Sequence, residues 1–77
     1  MENKILNEVN SVFNELLGKT VSLTEETTPE EVEGWDSLFQ ANLIEKIENQ
    51  YGIKFKLREI LAWESVGNII ESIQNRL

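Results

Sequence analysis

The sequence predicts an all-α fold: a four-helix bundle with three longer helices, one short helix and a long first loop. Three observations predict it. Apolar residues recur at helical spacing in three separated runs. Glycine or a polar capping residue stands at the ends of those runs. No stretch alternates apolar and polar residues in the way a half-buried strand requires.

The first run carries Ile5, Leu6, Val9, Val12, Phe13, Leu16 and Leu17 on one face, which predicts a helix over roughly residues 3–17 closed by Gly18. Residues 19–35 are rich in Thr and Glu and hold neither period. They read as a long loop pinned by Val21, Leu23, Val32 and Trp35. A loop of this length in so small a chain tends to be functional or disordered. Within it, Thr28-Pro29-Glu30-Glu31 can form one short helical turn, with proline at its first position. A second helix is expected from Asp36 or Ser37 to about Tyr51. Asp36 is a good N-cap, Ser37 and Gln40 also stand at capping-box spacing, and Gly52 is the stop. Residues 53–56 link to a short helix over Leu57–Ala62, with Leu57, Ile60 and Leu61 on one side. The last helix starts near Ser65, is capped by Glu64 and Ser65, and carries Val66, Ile69, Ile70, Ile73 and Leu77. Residues 1–77 read as a single domain without internal repeats.

Composition narrows the chemistry. A chain of 77 residues leaves little room for an enclosed active site, since a domain this small buries only about 60% of its unfolded surface. Cysteine and histidine are both absent. That removes the thiolate nucleophile, the zinc-thiolate site and the commonest general base, so a self-sufficient enzyme is not expected. Fourteen acidic residues against seven basic ones give a net charge of -7. Such a surface repels nucleic acid and anionic membranes and attracts basic protein partners. The first residues lack the layout of a signal peptide, and no apolar run is long enough to cross a bilayer. The expectation is a soluble, cytoplasmic monomer.

The second helix has an unusual leftover. At about 100° per residue, Leu43, Ile44, Ile47 and Tyr51 share an arc that faces the core. Leu38, Asn42, Glu45 and Asn49 fall on the opposite face, flanked by Ala41 and Glu48. Leu38 is therefore an apolar side chain on the wet face, beside Ser37 and ringed by carboxylates. Such a patch suggests docking. Ser37 sits at the helix mouth, where free N–H groups and the positive end of the dipole favour an attached phosphate diester. Taken alone, Asp36-Ser37 is more simply a cap.

The surroundings change that balance. Gly34-Trp35-Asp36-Ser37-Leu38, the apolar positions Leu43, Ile44 and Ile47, then Glu48 and Tyr51-Gly52-Ile53, resemble the acyl carrier protein family. The final Trp63-Glu64-Ser65-Val66 segment and its Ile-rich helix are similar to that family's last helix, so the likeness spans nearly the whole chain. The resemblance implies a four-helix bundle that is not itself a catalyst. It implies 4′-phosphopantetheine on Ser37, attached from coenzyme A by a phosphopantetheinyl transferase, with the arm's thiol carrying acyl groups as thioesters. Asp36 would help dock the transferase. Leu38, Ala41, Asn42, Glu45 and Glu48 would face acyl-loading and acyl-accepting enzymes bearing basic docking patches. Trp63 falls where the family places a residue near the acyl cavity, where an indole could restrict chain length or simply fill core.

Departures from the family pattern point away from a housekeeping fatty-acid synthesis carrier. Asn42 and Asn49 replace common acids, and Phe39 and Lys46 are expected to alter the helix surface. A specialised carrier, for polyketide-like, aminoacyl or acyl-transfer chemistry, fits better. Rival readings are an acidic protein-interaction module without a prosthetic group and a small metal-binding protein. Glu25-Glu26 and Glu30-Glu31 lack the alternating ligand spacing of an EF-hand loop, so they read as solvated loop charge, and no metal site is expected.

Overall fold

The computed structural model describes residues 4–77. The described residues form four α-helices and one short 3₁₀ turn, with no strand among them. Helix α1 spans Lys4–Leu17, α2 spans Ser37–Tyr51, α3 spans Leu57–Leu61 and α4 spans Val66–Gln74. The 3₁₀ turn, Pro29–Glu31, falls where the Thr28-Pro29 pair predicted it. The start of α1 expected at residue 3 lies outside the described residues.

The core is built from one stripe of each long helix. Val9, Val12 and Phe13 of α1 meet Phe39, Leu43 and Ile47 of α2 and Val66, Ile69, Ile70 and Ile73 of α4, with Leu23 and Val32 closing it from the loop. Phe13, Leu43, Ile47, Ile69 and Ile73 are fully buried. Each removes a large apolar side chain from water, a gain of about 1.5–3 kcal/mol.

Four sequence expectations need correction. Phe39 does not decorate the helix surface but is buried against Phe13. The reason is register: Phe39, Leu43, Ile47 and Tyr51 recur every four residues and stack on one face. Ile44, placed on the core arc, is only half-buried and stands outside the core cluster. The last helix stops at Gln74, and Leu77 beyond it is exposed. Ser65 is its N-cap, but Glu64 supplies no capping side chain. Instead Asn68 reaches back, its Oδ1 accepting from the Glu64 and Ser65 N–H groups at 2.8 and 3.1 Å. This satisfies backbone donors that precede the helix.

The long loop is ordered by polar straps that no periodicity analysis registers. Asn10 of α1 donates to the Val21 carbonyl at 2.9 Å and accepts from the Leu23 N–H at 2.6 Å. Asn14, one turn on, accepts from the Val21 N–H at 2.7 Å. Two asparagines on one helix face thus serve an extended segment as a neighbouring strand would. Farther along, Thr27 is buried and its Oγ1 accepts from the Thr24 N–H at 2.9 Å. The loop then meets α4, where Val66 N–H donates to the Thr27 carbonyl at 2.9 Å and Gly67 N–H to the Glu25 carbonyl at 2.8 Å. Two unpaired donors of a helix start are satisfied by loop backbone. A Cβ added at Gly67 would lie 2.9 Å from the Glu25 oxygen, so the approach requires glycine.

Helix α3 is held differently. None of its residues is fully buried, and Leu57 and Leu61 are 70% and 76% exposed. Its anchor is Glu59, which pairs bidentately with Arg76 beyond α4 at 2.6 and 2.5 Å. Arg76 also donates to the carbonyls of Lys54 and Ser72 at 2.9 and 3.1 Å, and its guanidinium lies 5.4 Å from the Phe55 ring centre. The Arg76 hydrogen bond holds the Glu59 carboxyl below the usual carboxylate range, against a smaller opposing effect of burial.

Two outcomes follow from these contacts. Gly67→Ala pushes the Glu25 carbonyl away and costs about 1–3 kcal/mol, the usual range for an overpacked site, measurable by urea denaturation. Because the folded Glu59 titrates below its unfolded value, its contribution is complete above the ordinary carboxylate pKa. It is lost as pH falls through the depressed value. Arg76→Ala should therefore lower stability at neutral pH and flatten the acid limb of a stability–pH curve. A variant whose acid limb overlays the wild type would contradict the assignment.

Candidate functional site

The site grows from the junction of the loop and α2. Gly34 turns the chain with φ of 98°, in the left-handed region, and a Cβ there would press on Leu17 at 3.0 Å. The turn sets the Trp35 indole against Phe13, edge to face, at 5.0 Å between ring centres. Phe39 completes the cluster 5.1 Å from Phe13 and 6.3 Å from Trp35. Edge-to-face pairs of this kind add about 0.5–1.5 kcal/mol beyond the area they bury. Trp35, which the sequence placed among the loop's anchors, is one.

From that cluster the backbone enters α2 with Asp36 as N-cap. Its Oδ1 accepts from the Phe39 N–H at 2.9 Å, and its carbonyl accepts from the Gln40 N–H at 2.8 Å. The capping-box pairing of Ser37 with Gln40 does not form. Gln40 Oε1 accepts instead from the Trp35 indole N–H at 2.7 Å. Ser37 is the first residue of the helix and is exposed. Among the described residues no group hydrogen-bonds to its hydroxyl. The serine is left over because its neighbour does the capping.

The other predicted positions divide into two sets. Leu38 is 73% exposed, as the helical projection requires, and Ala41, Asn42 and Glu45 are exposed beside it. Asp36 is exposed as well, even while capping. Glu48 departs from this set. Its side chain is only 15% exposed; Oε2 accepts from the Phe55 N–H at 2.8 Å and Oε1 lies 3.8 Å from Lys54 Nζ. Its carboxylate is spent on holding the α2–α3 connection. Lys46 pairs with Glu15 of α1 at 3.2 Å, so part of its charge is neutralised within the bundle.

Toward the far end of α2, Tyr51 donates to Glu8 of α1. Burial first, and then that carboxylate, push the phenol well above its ordinary range. It remains a neutral donor at any physiological pH. Trp63 packs edge to face on Phe55 at 5.0 Å and donates its indole N–H to the Ser72 hydroxyl at 2.9 Å. The structure gives this indole a packing role, joining the α3 end to α4. No cluster of potential metal ligands occurs among the described residues, and none of their helices is long and apolar enough to cross a membrane.

The profile of the phosphopantetheine attachment site family matches residues 7–73, a span that includes the start of α2. The chain belongs to the acyl carrier protein family. The holo acyl carrier protein from Geobacter metallireducens, solved by solution NMR, is similar at 31% identity, with 91% of this chain and 82% of that chain covered and a TM-score of 0.85. A candidate acyl carrier protein from Mycobacterium tuberculosis shares the fold, with a TM-score of 0.85, 21% identity and coverage of 92% and 96%. No curated protein matches the sequence. As a member of this family the carrier is non-catalytic, binds a covalent 4′-phosphopantetheine arm, and works with phosphopantetheinyl transferases and acyl-handling enzymes.

The cap and the serine are separable. Asp36→Ala removes the acceptor for the Phe39 N–H and should cost about 0.5–2 kcal/mol, read from thermal or urea unfolding. Ser37→Ala should leave stability unchanged, since no described contact is lost. Equal destabilisation by both substitutions would mean that Ser37 also caps the helix.

Proposed function

We propose that Ser37 is the attachment point of the 4′-phosphopantetheine arm and that this carrier serves a specialised acyl, polyketide-like or aminoacyl pathway. The observation that carries the first statement is the division of labour at the α2 start, where Asp36 caps and Ser37 stays free.

The residues fit the group. A transferase needs a hydroxyl it can reach, and Ser37 is exposed. The N–H groups of Ser37 and Leu38 occupy the first turn, where no helical carbonyl precedes them, and they have no partner among the described residues. An anionic phosphodiester beside them meets two donors and the positive end of the helix dipole. When bound, the arm supplies the thiol that a chain without cysteine lacks. The protein's own task is presentation. Leu38 offers an apolar contact, and Asp36 and Glu45 offer charges for basic side chains around it. Ala41 and Asn42 complete the face without bulk. Glu48 is left out of this docking set because its carboxylate already holds Phe55.

The pathway reading rests on that face. Asn42 and Asn49 are neutral, and Lys46 lies on the same helix, so the surface presented to partners is less acidic than the net charge of -7 suggests. Its partners would rely more on the Leu38 contact and less on long-range attraction than those of a strongly acidic carrier. Residues 1–77 would act as one carrier domain, soluble in the cytoplasm and monomeric.

Intact-mass measurement tests the assignment. Incubation with coenzyme A and a broad-specificity phosphopantetheinyl transferase should add one arm to the wild type and none to Ser37→Ala. A gain that persists in Ser37→Ala places the arm elsewhere. An unmodified wild type rejects the proposal.

A further inference from the structure

Beside the Ser37 hydroxyl lies a shallow groove lined by Pro29, Trp35, Asp36, Ser37 and Gln40. Its walls are unusually fixed for a loop. Trp35 is packed on Phe13, and its N–H is held by Gln40 at 2.7 Å. Pro29 opens the 3₁₀ turn, which Glu31 ties back by accepting from the Thr28 N–H at 3.1 Å. Yet Trp35 is only half-buried, so part of this braced ring faces solvent. Gln40 Oε1 is committed to the indole. Its amide nitrogen, with two N–H donors, has no partner among the described residues.

We propose that this groove is a docking subsite for the arm's own pantoyl portion, the segment nearest the phosphate. The inference rests on Ser37 bearing the arm. The chemistry of the two sides matches. That segment carries a quaternary carbon with two geminal methyl groups, a hydroxyl and an amide. Trp35 and Pro29 provide a rigid apolar surface for the methyl groups, and little side-chain entropy is lost on contact because both walls are already fixed. The free Gln40 amide N–H groups provide donors for the hydroxyl oxygen or the amide carbonyl. Continuity selects the occupant. Ser37 is itself a lining residue, so a group tethered to it samples the groove at high effective concentration and weak contacts suffice. The thiol end stays outside this short groove and remains available to partner enzymes. Trp35 and Gln40 are positioning residues in this reading: they bias the direction in which the arm leaves the bundle.

The test compares apo and holo protein by ¹H–¹⁵N NMR, with holo formation verified by intact mass. Trp63→Phe assigns the two indole signals. The expected result is a displaced Trp35 indole N–H signal in the holo form and nuclear Overhauser contacts between the geminal methyl groups and the Trp35 ring. The Trp63 signal should stay in place. Gln40→Ala should still accept the arm but lose those contacts, and Ser37→Ala should show no change on treatment. If the mass rises while the Trp35 signals of apo and holo protein superimpose, the subsite is wrong and the attachment at Ser37 stands. If the mass does not rise, the attachment proposal fails and this one falls with it.

Discussion

Phe13 is the point through which the carrier's geometry is transmitted. It is fully buried in the C-terminal half of α1 and touches both aromatic rings that flank the α2 start. Trp35 reaches it from the loop and Phe39 from the helix, and the three residues between them on the chain include Ser37. The serine's position is therefore fixed by packing on either side of it, and among the described residues no group hydrogen-bonds to its hydroxyl. Small bundles have few buried side chains to share among tasks. Here one aromatic cluster does two of them, closing the core and aiming the site.

The loop between α1 and α2 follows the same economy in polar form. Asn10 and Asn14 hold its first half, and the backbone of α4's first turn holds its second. Such a segment cannot bury enough apolar area to order itself, so its N–H and C=O groups must find partners in helices that are already formed. The straps make the loop depend on the bundle while its end determines where Trp35 and Pro29 stand. Order thus passes from the core outward to the groove beside Ser37.

Much of this was legible in the sequence, for physical reasons that differ between elements. The helices of 14 and 15 residues, α1 and α2, announce themselves through apolar spacing and through Gly18 and Gly52. The Asp36 cap and the exposure of Leu38 were legible through the helix-start signal and the helical projection. Phe39 was misplaced because attention to the wet face obscured its four-residue ladder with Leu43 and Ile47. Glu48 looked like a surface acid because helical projection ignores what a flexible side chain reaches across a loop. Asn10, Asn14 and Gly67 gave no signal at all. Each serves a contact distant in the chain, and neither asparagine nor glycine carries a period. The Arg76–Glu59 pair is invisible for the same reason, its partners standing 17 positions apart in the chain.

Because Asp36 holds the cap, the bundle's thermodynamic balance does not include the Ser37 oxygen. In the proposed reading, a group esterified there displaces no hydrogen bond of the cap, so attaching the arm would cost the fold none of its own contacts. A carrier built this way would take on its arm without giving up a contact that keeps its helices folded. Recognition of its loading state is then left to the surface each partner meets.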